Sequence, residues 1–365
     1  MEILIALLCI IGQIWIISDL PLAVKDKNKL LAGVFFLEFF ILLGFRDISV
    51  LGDTDSYAYH FNKIFNKETP FYIIKKSDRF SYGYLLFEQF FYQEISSSFL
   101  CYNIVTTLLI LGGTILFFYR NSLCLWLVLY LFVVTKLVFS EAIALRQGLG
   151  LVSLLIGFNS LFAKKYIRYI CSVLVAMMFH SSAFIMLLVP LLYSDAINFK
   201  LKKYGLLLFS MFIFVFYEIV FVKYIDVGER YQGASEKNGF FSLIGLFNTL
   251  VAVITYLYVS YLEGCFCEKD KLIELHGFKL VTLFYLIFSV FSIRLFVFGR
   301  FTIYFLPLVI VYISFLYQHT VFNKNVRLIT ALYLFIQTIS FLFIMYYRPE
   351  WTKILPYSFY QSIVR

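Results

Sequence analysis

The chain has 365 residues, of which 62% are hydrophobic, 21% aromatic and only 15% charged. Soluble domains run at about one-quarter charged and just under about half apolar, so the balance excludes an ordinary soluble domain and points to an all-α, polytopic transmembrane bundle. The formal net charge is +9, but Lys and Arg sit mainly in short loops between apolar runs, which is the positive-inside pattern and excludes nucleic acid as a partner.

Apolar runs occupy 3–20, 30–45, 99–118, 122–140, 144–162, 168–193, 204–222, 240–262, 277–293, 301–317 and 328–346. We read 1–365 as one integral-membrane domain with about eleven to twelve membrane segments. Met1-Glu2 brings no basic leader, so the first run is expected to be a retained helix. Cys9, Cys101, Cys124 and Cys171 fall in apolar runs and act as small hydrophobes. Cys265 and Cys267 form a C-x-C with no second pair, and no disulfide framework is implied.

The one long polar insertion is 46–97, a loop length that usually carries function. Its aromatics (Phe61, Phe65, Phe71, Tyr72, Phe80, Tyr82, Tyr84, Phe87) predict short helices packed on the membrane surface. It opens with Gly44–Phe61, GFRDISVLGDTDSYAYHF, which crowds Arg46, Asp47, Asp53, Asp55, Tyr57, Tyr59 and His60 at a membrane exit. Ionisable groups are costly there, so such a cluster marks a functional site.

Lys25, Lys27 and Lys29 place the first loop in the cytoplasm, and hence the N-terminus and 46–97 outside. Arg120 then falls inside, Glu141 to Arg146 outside, and Lys164, Lys165 and Arg168 inside. The run 168–193, about 26 residues or roughly 39 Å as one helix, decides the rest. A single crossing sends Lys200, Lys202 and Lys203, then Lys269 with Lys271, then Lys324 with Arg327, outside. A break near His180-Ser181-Ser182 that returns as a hairpin keeps all of them inside, and broken helices occur where they line a protein cavity. With the hairpin, Arg46, Asp53, Asp55, Glu141, Arg146, His180, Lys223, Arg230, Arg294, Arg300 and Trp351 all lie toward the outer face.

Three constellations can carry chemistry. Asp53-Thr54-Asp55 is a D-x-D. In an extended turn its carboxylates converge to hold a cation or sugar hydroxyls, or to act as base; the alternative is a cap for the helix that begins near Ser56. Arg146 and Gln147 open the fifth span, and Arg294 and Arg300 flank a later junction. Arg grips phosphate in a bidentate way, against the alternative of snorkelling to headgroups. His180 lies at the inferred break, as a substrate contact or as a satisfied core residue. Motifs for ATP hydrolysis, serine hydrolysis and zinc proteolysis have no counterpart.

Together these landmarks resemble the EpsG-like branch of the Wzy-type polysaccharide polymerases. GFRDISVLGDTDSYAYHF is similar to that family's Arg-x(n)-G-x-D-x-x-x-Tyr signature. LRQGLGLVSLLIGF and KKYIRYICSVLVAMMFHSSAFI are similar to its Arg-Gln helix, basic turn and His-Ser-Ser segment. RLFVFGRFTIYFLP and WTKILPYSFY resemble its later Arg-rich span and closing Pro-Tyr. The Gln232–Gly239 loop matches nothing in that pattern.

The resemblance implies a multi-pass glycosyltransferase of the bacterial cytoplasmic membrane, with its active site facing outward. Its substrate would be an undecaprenyl-pyrophosphate-linked oligosaccharide, and its protein partners a chain-length regulator and a flippase. No cofactor or metal is expected, because Arg side chains meet the charge on the leaving pyrophosphate. Arg146, Asp53, Asp55 and His180 are the expected catalytic groups. Arg46, Tyr57, Gln147, Glu141, Arg294 and Arg300 are expected to bind substrate. A flippase predicts inverted repeats and mid-bilayer polar groups, and a membrane O-acyltransferase predicts a second polar pair in the core. Neither feature is visible. A ligase that moves a finished chain is the same chemistry with another acceptor.

Overall fold

A computed structural model describes residues 2–64, 80–193, 198–215, 243–267, 275–294, 298–347, 354 and 357–360. Lys223, Arg230, Trp351, the Gln232–Gly239 loop, Phe65, Phe71, Tyr72, Lys269 and Lys271 lie outside the described residues. The elements in order are α1 (Glu2–Asp19), α2 (Val24–Gly44), α3 (Thr54–Ile64), α4 (Tyr82–Phe90), α5 (Phe99–Asn121), α6 (Leu125–Val134), α7 (Leu137–Ile143), α8 (Leu145–Phe162), α9 (Tyr166–Phe179), α10 (Val189–Tyr193), α11 (Phe199–Val215), α12 (Leu243–Cys265), α13 (His276–Arg294), α14 (Gly299–Thr320) and α15 (Lys324–Tyr347). A π turn, Phe91–Ile95, follows α4, and a 3₁₀ segment, Ser181–Leu188, precedes α10. The described residues contain no strand; one isolated bridge joins Arg46 to Phe359.

The helices α5, α8, α12, α13, α14 and α15 are long and apolar enough to cross a bilayer, and α6 with α7 makes a seventh span if the bent pair counts as one. The chain is a polytopic helical membrane protein, as its composition requires.

Two of the expected spans are interrupted. The run 122–140 was expected to be one span; it bends by 56° between α6 and α7. Lys136 takes a left-handed φ of 64° at the break. The Thr135 hydroxyl turns back onto the Leu131 carbonyl (2.6 Å), and that of Ser140 onto Lys136 (2.9 Å). Such back-bonding competes with the helix ladder and bends it. The second interruption falls at the expected place. Helix α9 stops at Phe179 and His180 is extended, with φ −148° and ψ 116°. At 14 residues α9 is about 21 Å long, short of the roughly 30 Å hydrocarbon core.

The chain divides into two compact units, residues 1–187 with 334–365, and residues 188–333. In the second unit, α12 and α13 approach so closely that a Cβ on Gly245 would stand 2.3 Å from the Ser292 carbonyl oxygen. This is the small-residue contact that lets membrane helices touch backbone to backbone. Thr249 donates across the same contact to the Ser289 carbonyl at 2.7 Å. Beyond it, the α13 residue Lys279 pairs with Glu263 of α12, which also accepts from Tyr312 of α14 at 2.8 Å.

In the first unit, the insertion after α2 packs as α3 and α4 on α5 and α8. Its core joins Tyr57, Ala58, Phe61, Tyr84 and Phe91 to Phe99, Tyr102, Ile110, Leu145 and Leu149. Gly83 of α4 meets α9, where an added Cβ would lie 2.7 Å from Met178 Cβ.

Arg46 ties the framework together and is 1% exposed. Its guanidinium donates to the Leu43 carbonyl at the end of α2, to the Ala142 carbonyl in α7 at 3.0 Å, and to Thr54 Oγ1 at the start of α3 at 3.3 Å. Asn103 of α5 adds bonds to the Leu43 and Gly44 carbonyls at 3.2 and 2.8 Å. The chain's end covers this knot. Asp47 N–H donates to Ser358 O at 2.9 Å and Tyr360 N–H to Phe45 O at 2.8 Å, while the Tyr357 hydroxyl donates to the Leu42 carbonyl. These bonds satisfy carbonyls that a helix end leaves orphaned. Arg46→Ala takes the side-chain donor from the Ala142 carbonyl and from Thr54 Oγ1, while Leu43 keeps its bond from Asn103, so it is expected to lose about 1–3 kcal/mol, read as a fall in melting temperature of the detergent-solubilised protein.

Candidate functional site

Gly52 and Asp53 lead into α3 through a turn in which Leu51 has a φ of 65° and Thr54 N–H donates to Leu51 O at 2.9 Å. The helix starts at Thr54. Asp53 therefore stands just before it and Asp55 within its first turn, so the two carboxylates do not share a face, as they would in an extended segment. Asp53 is half-buried. Asp55 is exposed and accepts from Ser56 N–H at 2.7 Å. Helical spacing instead aligns Asp53, Tyr57 and His60 along one face.

That face meets Arg146, the second residue of α8. The Tyr57 hydroxyl is 3.5 Å from Arg146 Nε, and the guanidinium carbon lies 4.1 Å from the centre of the Phe80 ring and 5.9 Å from that of Tyr84. Asp53 is near enough to act on Arg146 electrostatically. Arg146 is half-buried, with an aromatic floor behind it. A cation over ring faces is attracted to them and is shielded from water on that side. The first N–H groups of α8 add the positive end of a helix dipole at the same place. The arrangement suits an anion that accepts from a guanidinium, beside a carboxylate able to take a proton.

The structure sorts the other expected site residues. Gln147 is 1% exposed, next to Arg146 on α8. His180 is half-buried, with Nδ1 2.5 Å from Ser182 Oγ, and it packs on α8 where a Cβ on Gly150 would be 3.8 Å from its own Cβ. Gly150 is about one helical turn from Arg146. Glu141 is 1% exposed and turned away from this cluster, accepting from Thr114 Oγ1 at 3.0 Å. It lines a cavity of about 10 Å³ with Leu43, Thr107, Ile110, Leu111, Val138 and Ala142, room for about one water.

Arg46, expected either to bind substrate or to pair with Asp47 or Asp53, has its described hydrogen bonds on two carbonyls and Thr54. Burial pulls its pKa down to about 10, which still leaves it charged at neutral pH. Asp47 closes a turn on Ser49, accepting from its N–H at 3.0 Å and its hydroxyl at 2.7 Å. Arg294 and Arg300 belong to the second unit, in the last turn of α13 and the first of α14, and both are half-buried. Arg294 lies 5.3 Å from the Phe214 ring centre.

Sequence reasoning missed the pair His60 and Glu88. His60 Nδ1 is 2.8 Å from Glu88 Oε2, and both side chains are buried, at 6% and 0% exposure. The Tyr84 hydroxyl donates to Glu88 Oε1 at 3.4 Å and interacts with that of Tyr102, and the His60 ring packs 4.4 Å from Phe80. Burial, and then the Glu88 charge, push the Tyr84 hydroxyl well above its ordinary pKa, so it stays protonated. The signal was present as helical spacing: Tyr57 with His60, and Tyr84 with Glu88, three and four residues apart.

The model of the EpsG family matches residues 29–359, from α2 to the closing bridge at Phe359, and takes in every side chain described above. No curated protein and no solved structure matches the chain. The match spans nearly the whole polytopic helical chain, and the protein belongs to the EpsG family, a branch of the polysaccharide polymerases.

Proposed function

We propose that this polysaccharide polymerase-type membrane protein joins oligosaccharide repeat units carried on a lipid pyrophosphate, undecaprenyl pyrophosphate in the bacterial cytoplasmic membrane, at the outer face. The observation that carries the reading is Arg146 on its aromatic floor, with Asp53 and Tyr57 beside it. The bond from the donor sugar's anomeric carbon to the pyrophosphate oxygen breaks, and the lipid pyrophosphate leaves with the electron pair. The acceptor sugar's hydroxyl oxygen forms the new bond and gives up its proton.

Arg146 meets the charge that grows on the leaving oxygen. A fixed guanidinium in a partly dry site is worth more than one in water. Asp53 takes the proton as general base, because it is the carboxylate that faces Arg146; His180, about a turn further along α8, and the exposed Asp55 are the alternatives. Tyr57 aligns the guanidinium. Holding both lipid-tethered substrates in line supplies much of the remaining acceleration. Arg294 and Arg300 are the other cations proposed to take up phosphate charge. Flippase and chain-length regulator are the proposed protein partners.

Arg146→Ala is expected to abolish long polymer in cells while lipid-linked single repeats accumulate, and Arg146→Lys to restore little, since an ammonium cannot replace the planar fork. Loss of the single repeats themselves points upstream of polymerisation and contradicts the reading. Asp53→Asn is expected to slow polymer formation about 100-fold or more, with Asp55→Asn close to wild type; equal polymer from both variants makes Asp53 a helix flank and nothing more. The exposed Ser49→Cys, in a chain cleared of its own cysteines, should react with an impermeant maleimide on intact cells. Labelling that appears only after permeabilisation puts the insertion in the cytoplasm.

A further inference from the structure

The cavity of about 10 Å³ beside Glu141 lies between α2, α5 and α7, and two polar side chains that the proposed chemistry does not use line it, Glu141 and Thr107. They are 1% and 3% exposed. Thr114 Oγ1 donates to one Glu141 oxygen, Oε2, at 3.0 Å. Among the described residues, the other oxygen, Oε1, and Thr107 Oγ1 have no hydrogen-bond partner. The remaining side chains that line the cavity are apolar. Buried polar atoms left unmet in such a place are costly and call for a partner.

We propose that this cavity is a binding site for one buried water, held between Glu141 and Thr107, and that Glu141 is through it a positioning residue for Arg146. The second half rests on Arg146 as the group that meets the donor's charge. The volume suits one water and excludes a sugar or a phosphate. A water can donate to the lone pairs of Glu141 Oε1 and exchange a bond with the Thr107 hydroxyl, which both gives and accepts. A divalent cation takes about six or more oxygens, whereas the lining side chains offer only these two unmet ones.

The same place fixes the corner that carries Arg146. Leu43 and Ala142, whose carbonyls Arg46 grips, also line the cavity. The backbone carbonyl of Glu141 faces α8, where a Cβ on Gly148 would stand 2.7 Å from it. Glu141 therefore holds α5 with its carboxyl and meets the first turn of α8 with its backbone. Slack on the α5 side passes to that turn, and a small displacement of a charge-stabilising group costs rate steeply. On α5 the sequence carries this as a polar stripe. Asn103 bonds the end of α2, Thr107 lines the cavity and Thr114 bonds Glu141, all at helical spacing.

The test uses the full chain in lipid nanodiscs. A cryo-EM map fine enough to show ordered water should hold one peak within hydrogen-bond distance of both Glu141 Oε1 and Thr107 Oγ1; a map of that quality without it overturns the site. Thr107→Val and Glu141→Met should each lower the melting temperature by about 2–4 °C. The double variant should lose less than the sum, because removing both polar groups leaves nothing unmet. Losses that add, or a Thr107→Val protein that melts above wild type, mark a dry cavity and overturn the proposal. A melting temperature that depends on Na⁺ or K⁺ in wild type and not in Glu141→Gln makes the occupant a cation and overturns the water.

The rate test uses lipid-linked single repeats isolated from cells that lack the polymerase. Glu141→Met should lower kcat about 10-fold with KM changed by less than about 2-fold. Glu141→Gln keeps two hydrogen-bonding atoms at that place and should restore most of the rate. If Glu141→Gln is as slow as Glu141→Met, the positioning role fails. If Glu141→Met does not fold, Thr107→Val carries the rate test, with kcat lower by about 3-fold; wild-type kcat then overturns the role. Arg146→Ala in the same assay separates the two levels. If it is inactive while Glu141→Met matches wild type, only the positioning role fails. If it polymerises normally, the underlying reading fails, and the water site is judged by the map and the melting temperatures.

Discussion

A guanidinium buried where a helix ends must have its N–H groups met by oxygens, and in this protein those oxygens come from three separate stretches of chain. Arg46 holds the last turn of α2, the first residue of α3 and the end of α7. Those three ends frame the site, because α3 carries Tyr57 and follows directly on Asp53, and Arg146 comes three residues after the last of α7. Unpaired carbonyls at this depth cost about 1–3 kcal/mol each, so the bonds also specify where the helices stop. The tail at Tyr357–Tyr360 adds strand-like bonds over the same place, so the C-terminal end of the family-matched region closes on it.

On that frame the chain solves an electrostatic problem. A cation must be kept charged and aimed, without being neutralised by the carboxylates near it. Arg146 is supported by rings, which attract it without consuming its donors, and by one half-buried carboxylate. The more deeply buried Glu88 is occupied by His60 and Tyr84. Arg46 and Arg146 stand close to the same membrane exit in sequence pattern, yet burial and bonding separate their parts. The described hydrogen bonds of one go to two carbonyls and Thr54, and the other lies beside Asp53, Tyr57 and Phe80.

Much of this was legible in the sequence. Hydropathy located the helices, and the His-Ser-Ser break within a run too long for comfort was readable from loop charges. The Gly44–Phe61 stretch and Arg146 stood out as ionisable groups at membrane exits. The bend at Lys136 was not legible, because one left-handed residue and two hydroxyl back-bonds leave hydropathy unchanged. Arg46 was ambiguous because its partners are carbonyls, which any sequence supplies. Glu141 looked like part of the cluster from its position before Arg146, but the intervening turn at Ala144 faces it toward Thr114. The pair of His60 with Glu88 required a contact between two short helices 28 positions apart in sequence, which periodicity alone suggests only once both helices are known.

The central claim is that the chain makes a glycosidic bond at the expense of a sugar–pyrophosphate bond. The direct measurement is to supply the purified protein in sealed lipid vesicles with lipid-linked single repeats and to follow glycan length and free lipid pyrophosphate together. The account predicts a ladder of chain lengths with one lipid pyrophosphate released for every bond formed. Repeats that cross the bilayer with their length unchanged, and with no lipid pyrophosphate released, contradict it.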